Sequence, residues 1–341
     1  MLSLFIAALP LVAIDAEVPA PSPGQIAQAA PAGEWMTIAD DDLLIMSLED
    51  GAAKQATRKR IVIQLMPNPI AREWVTNIKQ LAIAHWWDGT SVNRVQDNYV
   101  AQWGDASEKK PLPSGLVATS ERDYDLSWTA LAGSAAGRPA EPIVRWAPPG
   151  DKDTKPADVY ARGVLWYRGF PLATDAALVS AGRRVWPIHC YGSVGVGRNL
   201  SPDAGSGAEL YAVIGHAPRH LDRNIAVVGR VVDGMEHLSS LPRGTGDLGF
   251  YTRPSERVTI SSIRLASELP AAERPRFDYL STAGTTWPRY VAARRNRELP
   301  FFIRPADAAD VCNIPVPVRP TPIRPAPRPL VSTAMKAATA R

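Results

Sequence analysis

The chain has 341 residues, 45% hydrophobic and 21% charged, which supplies enough apolar material for a sizeable core and excludes wholesale disorder. Thirty-eight Lys and Arg against 34 Asp and Glu leave a formal charge of +4, too small and too evenly spread to argue for nucleic-acid binding. The 32 prolines, roughly 9% of residues against a usual share of about 5%, argue against a mainly helical protein, because proline breaks helix interiors.

Residues 2–13, LSLFIAALPLVA, form an apolar run without charge. Twelve residues are too few to span a bilayer as a helix, so the run reads as the core of a signal peptide within 1–20, cleaved between Ala13 and Ala20, although it lacks a basic leader. This predicts export to the periplasm and no stable membrane span after cleavage. Residues 21–33, rich in Pro, Ala, Gln and Gly, read as a linker. Two short strand-like runs, WMTIA and LLIMSL, follow on either side of Asp40, Asp41 and Asp42, read as a solvated turn. Residues 60–65, RIVIQL, alternate and are β-branched, as a strand requires. Asn68-Pro69 reads as a helix cap with proline in the first turn, and Trp74, Val75, Ile78, Leu81 and Ala82 make one apolar stripe. Asp88-Gly89 ends that helix, and a strand follows near Val92.

Residues 106–160 are polar and poorly periodic, the pattern of a long surface insertion. Strand patterns resume at 161–167 and 184–191. The glycine-rich run 192–207 lacks the Lys-Ser/Thr of a phosphate loop and reads as a flexible turn. Further strands are expected at 209–214, 225–232 and 258–265, with a short helix from Asp233-Gly234 through His237. Residues 285–299, with Arg289, Arg294, Arg295 and Arg297, read as a surface helix, and the chain after Cys312 as a polyproline-type tail. Many short strands and few helices favour an antiparallel barrel or sandwich. The two cysteines, Cys190 and Cys312, allow one disulfide in an oxidising compartment.

Chemistry-bearing residues concentrate in two stretches. In 93–105, NRVQDNYVAQWGD, an extended chain places Arg94, Val100 and Gln102 on one face by two-residue alternation. Tyr99 has the opposite parity and joins them only if a turn intervenes at Asp97-Asn98. His216 and His220 have helical metal-pair spacing, but Pro218 between them breaks such a helix; no metal site is expected. His189 beside Cys190 has neither further ligands nor a hydrolase elbow and reads as structural.

The second stretch, 209–234, reads ELYAVIGHAPRHLDRNIAVVGRVVDG. Taken with 92–105, it resembles the cyclophilin family of peptidyl-prolyl isomerases. That family opens its site with Phe-His-Arg, followed by Phe and a Gln-Gly-Gly-Asp close; here Arg94, Tyr99, Val100, Gln102, Gly104 and Asp105 are in register. Its later Gln-Phe-Phe, Leu-Asp-Gly-Lys and glycine-ended strand correspond to Glu209-Leu210-Tyr211, Leu221-Asp222-Arg223-Asn224 and 226–231. The resemblance covers roughly 43–105 and 184–240.

It implies a mainly β fold, a closed eight-stranded antiparallel barrel capped by two helices. The barrel would occupy 34–240 with the insertion 106–160, an extension 241–312 would pack on it, and 313–341 would form a flexible Pro/Arg-rich tail. It also implies isomerisation of X–Pro bonds in proline-containing exported proteins, without a cofactor. Arg94 would be the catalyst, and Gln102, also of the catalytic pair, would position it or contact the substrate backbone. Tyr99, Val100, Tyr211 and Leu221 would line the proline pocket, with Glu209 and His220 as further substrate contacts. Departures from the family are Asn93 for histidine, Glu209 for glutamine, His220 for tryptophan and Ile225 for histidine or tyrosine. Glu209 could pair with Arg94 and compete with substrate. These departures keep a non-catalytic proline-binding module, or an envelope assembly protein, as alternatives.

Overall fold

The computed structural model describes residues 20–49, 59–133, 158–176 and 182–322; the expected signal sequence and the end of the tail lie outside them. Eight strands close into an antiparallel barrel. In chain order they are β1 (Leu43–Leu48), β2 (Lys59–Leu65), β3 (Ser91–Val95), β4 (Val100–Gly104), β5 (Ser193–Val196), β6 (Leu210–Val213), β7 (Val227–Asp233) and β8 (Val258–Leu265). Around the barrel the order is β5-β6-β4-β3-β8-β1-β2-β7, with β7 pairing back to β5. Closure removes the exposed sheet edges that invite aggregation.

Alternation decides which side chains fill the barrel. Leu44, Met46 and Leu48 of β1, Ile61, Ile63 and Leu65 of β2, and Ala101 and Trp103 of β4 belong to the main core. The opposite parity of β1 and β2, Leu43, Ile45 and Val62, packs outward into a second apolar cluster with Trp166, Trp186, Leu280 and Trp287. Burial on both faces explains why β1 reads as a nearly continuous apolar run.

The long helix α1 (Arg72–Ile83) lays Trp74, Val75, Ile78, Leu81 and Ala82 on the core. It starts at Arg72, so Asn68-Pro69 belongs to the preceding turn and is not its cap. The Trp74 indole donates to the carbonyls of Ala204 and Gly205 (3.1 and 2.8 Å) and the Trp87 indole to that of Ala208 (2.8 Å). These bonds fix the run that enters β6, one of the strands of the site. The second helical element beside the barrel is the single turn α2 (Glu236–Ser239), which buries Leu238.

Several boundaries differ from the sequence reading. The barrel does not end at 240, because its eighth strand is Val258–Leu265. The insertion is not simply a surface loop: Leu126–Ser127 pairs with Arg184–Pro187, continuing through Phe170–Thr174 to Gly163–Tyr167 in a four-stranded sheet. The linker 21–33 contains a helix, Pro23–Gln28, with a Ser22/Gln25 capping box and buried Ile26 and Ala27. The glycine-rich run 192–207 contains β5. The start of the tail is packed: Val318–Pro320 pairs with Phe277–Leu280, which in turn pairs with Trp35–Thr37, while Ile314 and Val316 are buried. Proline fits there because an outer strand need not donate every backbone N–H. The arginine-rich helix α3 (Thr286–Arg295) is only partly a surface element, since Thr286, Trp287, Tyr290 and Val291 are buried.

Candidate active site

Strands β3, β4 and β6 lie side by side, and their outward parity builds the site. Tyr211 of β6 lies opposite Gln102 of β4, and Gln102 lies opposite Arg94 of β3. A turn over Asp97-Asn98, with Asn98 in the left-handed region (φ 50°), joins β3 to β4. It returns Tyr99 to the side of Arg94, whose guanidinium carbon lies 5.8 Å from the Tyr99 ring centroid. Val100, Tyr211 and Val213 form a small buried cluster of their own, with Tyr99, Leu221 and Ile225 packed against it. The structure thus brings together Arg94, Gln102, Tyr99, Val100, Tyr211 and Leu221, and adds Val213 and Ile225.

Arg94 is oriented by three neutral oxygens. Its Nε donates to the Leu248 carbonyl (2.7 Å), Nη1 to Gln102 Oε1 (3.0 Å) and Nη2 to Gln96 Oε1. Phe250 stacks near it, with the guanidinium carbon 5.3 Å from the ring centroid. A guanidinium has five N–H donors, so one remains on each terminal nitrogen for a substrate. Burial lowers the Arg94 pKa, yet the group stays cationic in a protein. With only neutral partners among the described residues, its charge is not cancelled locally.

Glu209 occupies a different place from the one expected. Its carboxyl group lies against Gly104 and receives hydrogen bonds from Gln102, Asn93 and the backbone N–H of Asp105. It makes no ion pair with Arg94; it reaches the arginine only through Gln102. Any Cβ at residue 104 would collide with the Glu209 carboxylate, so glycine makes room for it. Burial raises the Glu209 pKa to about 7 despite these hydrogen bonds.

Behind the apolar floor runs a buried polar chain that sequence reasoning missed. The Tyr211 hydroxyl lies 2.8 Å from His189 Nε2, and His189 Nδ1 lies 2.9 Å from Asp222 Oδ1. A carboxylate only accepts, so a neutral ring carries its proton on Nδ1 and accepts the Tyr211 O–H at Nε2. Asp222 also receives Arg219 Nε at 2.6 Å, and Arg219 Nη1 donates to Asp158 at 2.6 Å. Burial pushes the Tyr211 pKa well above its usual value, keeping the hydroxyl protonated. A Cβ at Gly195 of β5 would strike that hydroxyl, so glycine admits the tyrosine. His220 is exposed and stacks on Tyr99, rings nearly parallel at 8° and centroids 6.3 Å apart. It forms part of the rim. The one early hint of the buried chain was His189 next to Cys190, read as structural; its partners lie 22 and 33 residues away.

A closed eight-stranded antiparallel barrel with an arginine, an amide and a small apolar cluster on the outer face of three adjacent strands has the architecture of the cyclophilin fold. Residues 53–265 match the family model for cyclophilin type peptidyl-prolyl cis-trans isomerase/CLD. That is more than half of the chain, and the chain belongs to this family of enzymes. Over 75 residues it is 39% identical to peptidyl-prolyl cis-trans isomerase CYP23 of Arabidopsis thaliana, a match covering 22% of this chain and 32% of the relative. The chain therefore spans about a third of that curated relative's length. Among solved structures, cyclophilin AquaCyp293 from Hirschia baltica has a TM-score of 0.61 at 22% identity, covering 84% of this chain and 92% of that chain. This is a likeness of fold, and it extends beyond the residues of the barrel.

Proposed function

We propose that the chain isomerises X–Pro peptide bonds of exported proteins, with Arg94 as the catalytic residue. The observation that carries this reading is a cation with two free donors, held only by neutral oxygens, beside the apolar floor of Val100, Tyr211 and Val213. The barrier to rotation, roughly 18–20 kcal/mol, comes from amide resonance. Twisting the bond destroys that resonance, localises a lone pair on the prolyl nitrogen and redistributes charge on the carbonyl. A fixed guanidinium donates more strongly to the twisted form than to either planar one, which is differential transition-state binding. The proline ring rests on the floor, and Gln102 holds Arg94 in place. No covalent bond forms or breaks.

Export is supported by the apolar N-terminal run and by the Cys190–Cys312 disulfide, a bond that persists in oxidising compartments. Clients would be unfolded or envelope proteins that present proline in extended segments. A protease-coupled assay on a proline peptide tests the reading. Wild type should accelerate isomerisation and Arg94→Ala should lower kcat/KM by about 100-fold, the scale of losing a transition-state hydrogen-bond donor. Near-background rates for both proteins would reject catalysis in favour of the binding-module alternative, which His220 and Ile225 in place of the family's residues keep open.

A further inference from the structure

A cavity of about 250 Å³ lies away from Arg94, between β7, the strand Phe170–Thr174 and the C-terminal segment 311–318. Its walls are apolar, with Val232, Val311, Ile314 and Val316 among them, and it contains the side chain of Arg230. Arg230 Nε and Nη2 both donate to Gln64 Oε1 (3.0 and 2.8 Å), and Nη1 donates to the Gly169 carbonyl (2.7 Å). Its guanidinium carbon sits 4.7 Å from the Phe170 ring centroid. Three of five donors are thus used, all on neutral partners, and one N–H remains on each terminal nitrogen. Among the described residues Arg230 has no carboxylate partner. Burial lowers its pKa to about 10, so the group is still cationic at neutral pH, and keeping an unpaired cation in such surroundings is costly.

We infer that this cavity binds a small aliphatic carboxylate, its head group bridged by the two remaining Arg230 donors and its tail among Val232, Val311, Ile314 and Val316. A planar carboxylate matches a pair of guanidinium N–H groups in charge and geometry, and the apolar walls reject a fully hydrated anion. At about 30 Å³ for each water-sized group, the cavity admits roughly eight heavy atoms, the size of hexanoate. Gln64, only 5% exposed, fixes the guanidinium plane, so the site is organised before a ligand arrives. The site is separate from Arg94 and does not depend on the isomerase reading.

Calorimetry with hexanoate, hexanol and acetate on the full chain tests the inference, with methyl NMR of Ile314 and Val316 to locate the ligand. Hexanoate should bind and shift those methyls. Hexanol and acetate should each bind at least about tenfold more weakly, since one lacks the charge and the other the tail. Arg230→Met should weaken hexanoate about tenfold or more. Val232→Phe, which leaves Arg230 in place and fills the cavity, should abolish binding and serves if the arginine variant does not fold. Failure of hexanoate to bind, equal binding of hexanol, or full affinity in the Val232→Phe variant would overturn it.

Discussion

At the scale of single residues, what matters is which groups touch Arg94 and which stand behind them. Glu209 acts through Gln102, and its burial makes it sensitive to pH. Burial raises its folded pKa from an ordinary 4.5 to about 7. The folded chain therefore holds this proton where the unfolded chain has lost it, and stability falls as pH rises from 4.5 through 7. The expected loss is on the order of 3 kcal/mol. Glu209→Gln, which cannot ionise, should flatten urea-unfolding free energies over that window; an unchanged slope would place the titration elsewhere. Tyr211→Phe keeps the ring of the floor but leaves buried His189 Nε2 without a donor. That should cost about 1–3 kcal/mol in unfolding free energy with the barrel intact by circular dichroism. The face shared by Arg94, Val100 and Gln102 was legible in the sequence, because two-residue alternation needs only local information. Leu248 and Phe250 were not, since the Leu248 carbonyl reaches Arg94 across 154 positions and no local pattern encodes such a meeting.

At the scale of elements, the segment 219–225 forms one wall of the site and is held by charges from outside the barrel. Arg219 is 4% exposed and is clamped between Asp158, just before the strand Gly163–Tyr167 of the appended sheet, and Asp222. Without Asp158, Nη1 of Arg219 is left buried without its acceptor while Asp222 still balances the charge, a loss of about 1–3 kcal/mol. Asp158→Ala should lose stability on that scale in chemical denaturation. It should also raise KM for a proline peptide more than it lowers kcat, because Leu221 and Ile225 lose their support while Arg94 is untouched. An equal fall in kcat would show that the wall acts on the chemical step. The strands β2 and β8 were readable from β-branched residues, and β1 from its short apolar run. β5 was not, because Gly195 makes way for the Tyr211 hydroxyl and so weakens the strand signal. The helix Pro23–Gln28 carried a readable capping box, Ser22 with Gln25, but its Pro/Ala-rich composition outweighed that in the linker reading.

At the scale of the whole molecule, the barrel holds one of the two large apolar centres among the described residues. The outward faces of β1 and β2, the four-stranded sheet, α3 and the C-terminal segment make the other. The Cys190–Cys312 disulfide ties the stretch just before β5 to that C-terminal segment, across a separation of 122 residues. In the chain-entropy description a loop of that size stabilises by about 4–5 kcal/mol, and measured effects run from about 0 to 5. Replacing both cysteines by serine should lower the unfolding free energy by about 2–5 kcal/mol, and reductant should shift wild type toward the variant while leaving the variant unchanged. Equal midpoints with and without reductant would show that the bond does not restrain unfolding. The assembly of two centres was invisible in sequence, since pairings such as Trp35–Thr37 with Phe277–Leu280 join distant segments.

The central claim is that Arg94 favours the twisted amide over the planar substrate. Exchange NMR on a proline peptide tests it most directly, by separating the on-enzyme interconversion rate from the affinity in wild type and Arg94→Ala. The account predicts a rate about 100-fold lower with a Kd within about threefold, the pattern of a transition-state interaction. An undiminished rate in the variant, or a loss confined to Kd, would contradict it.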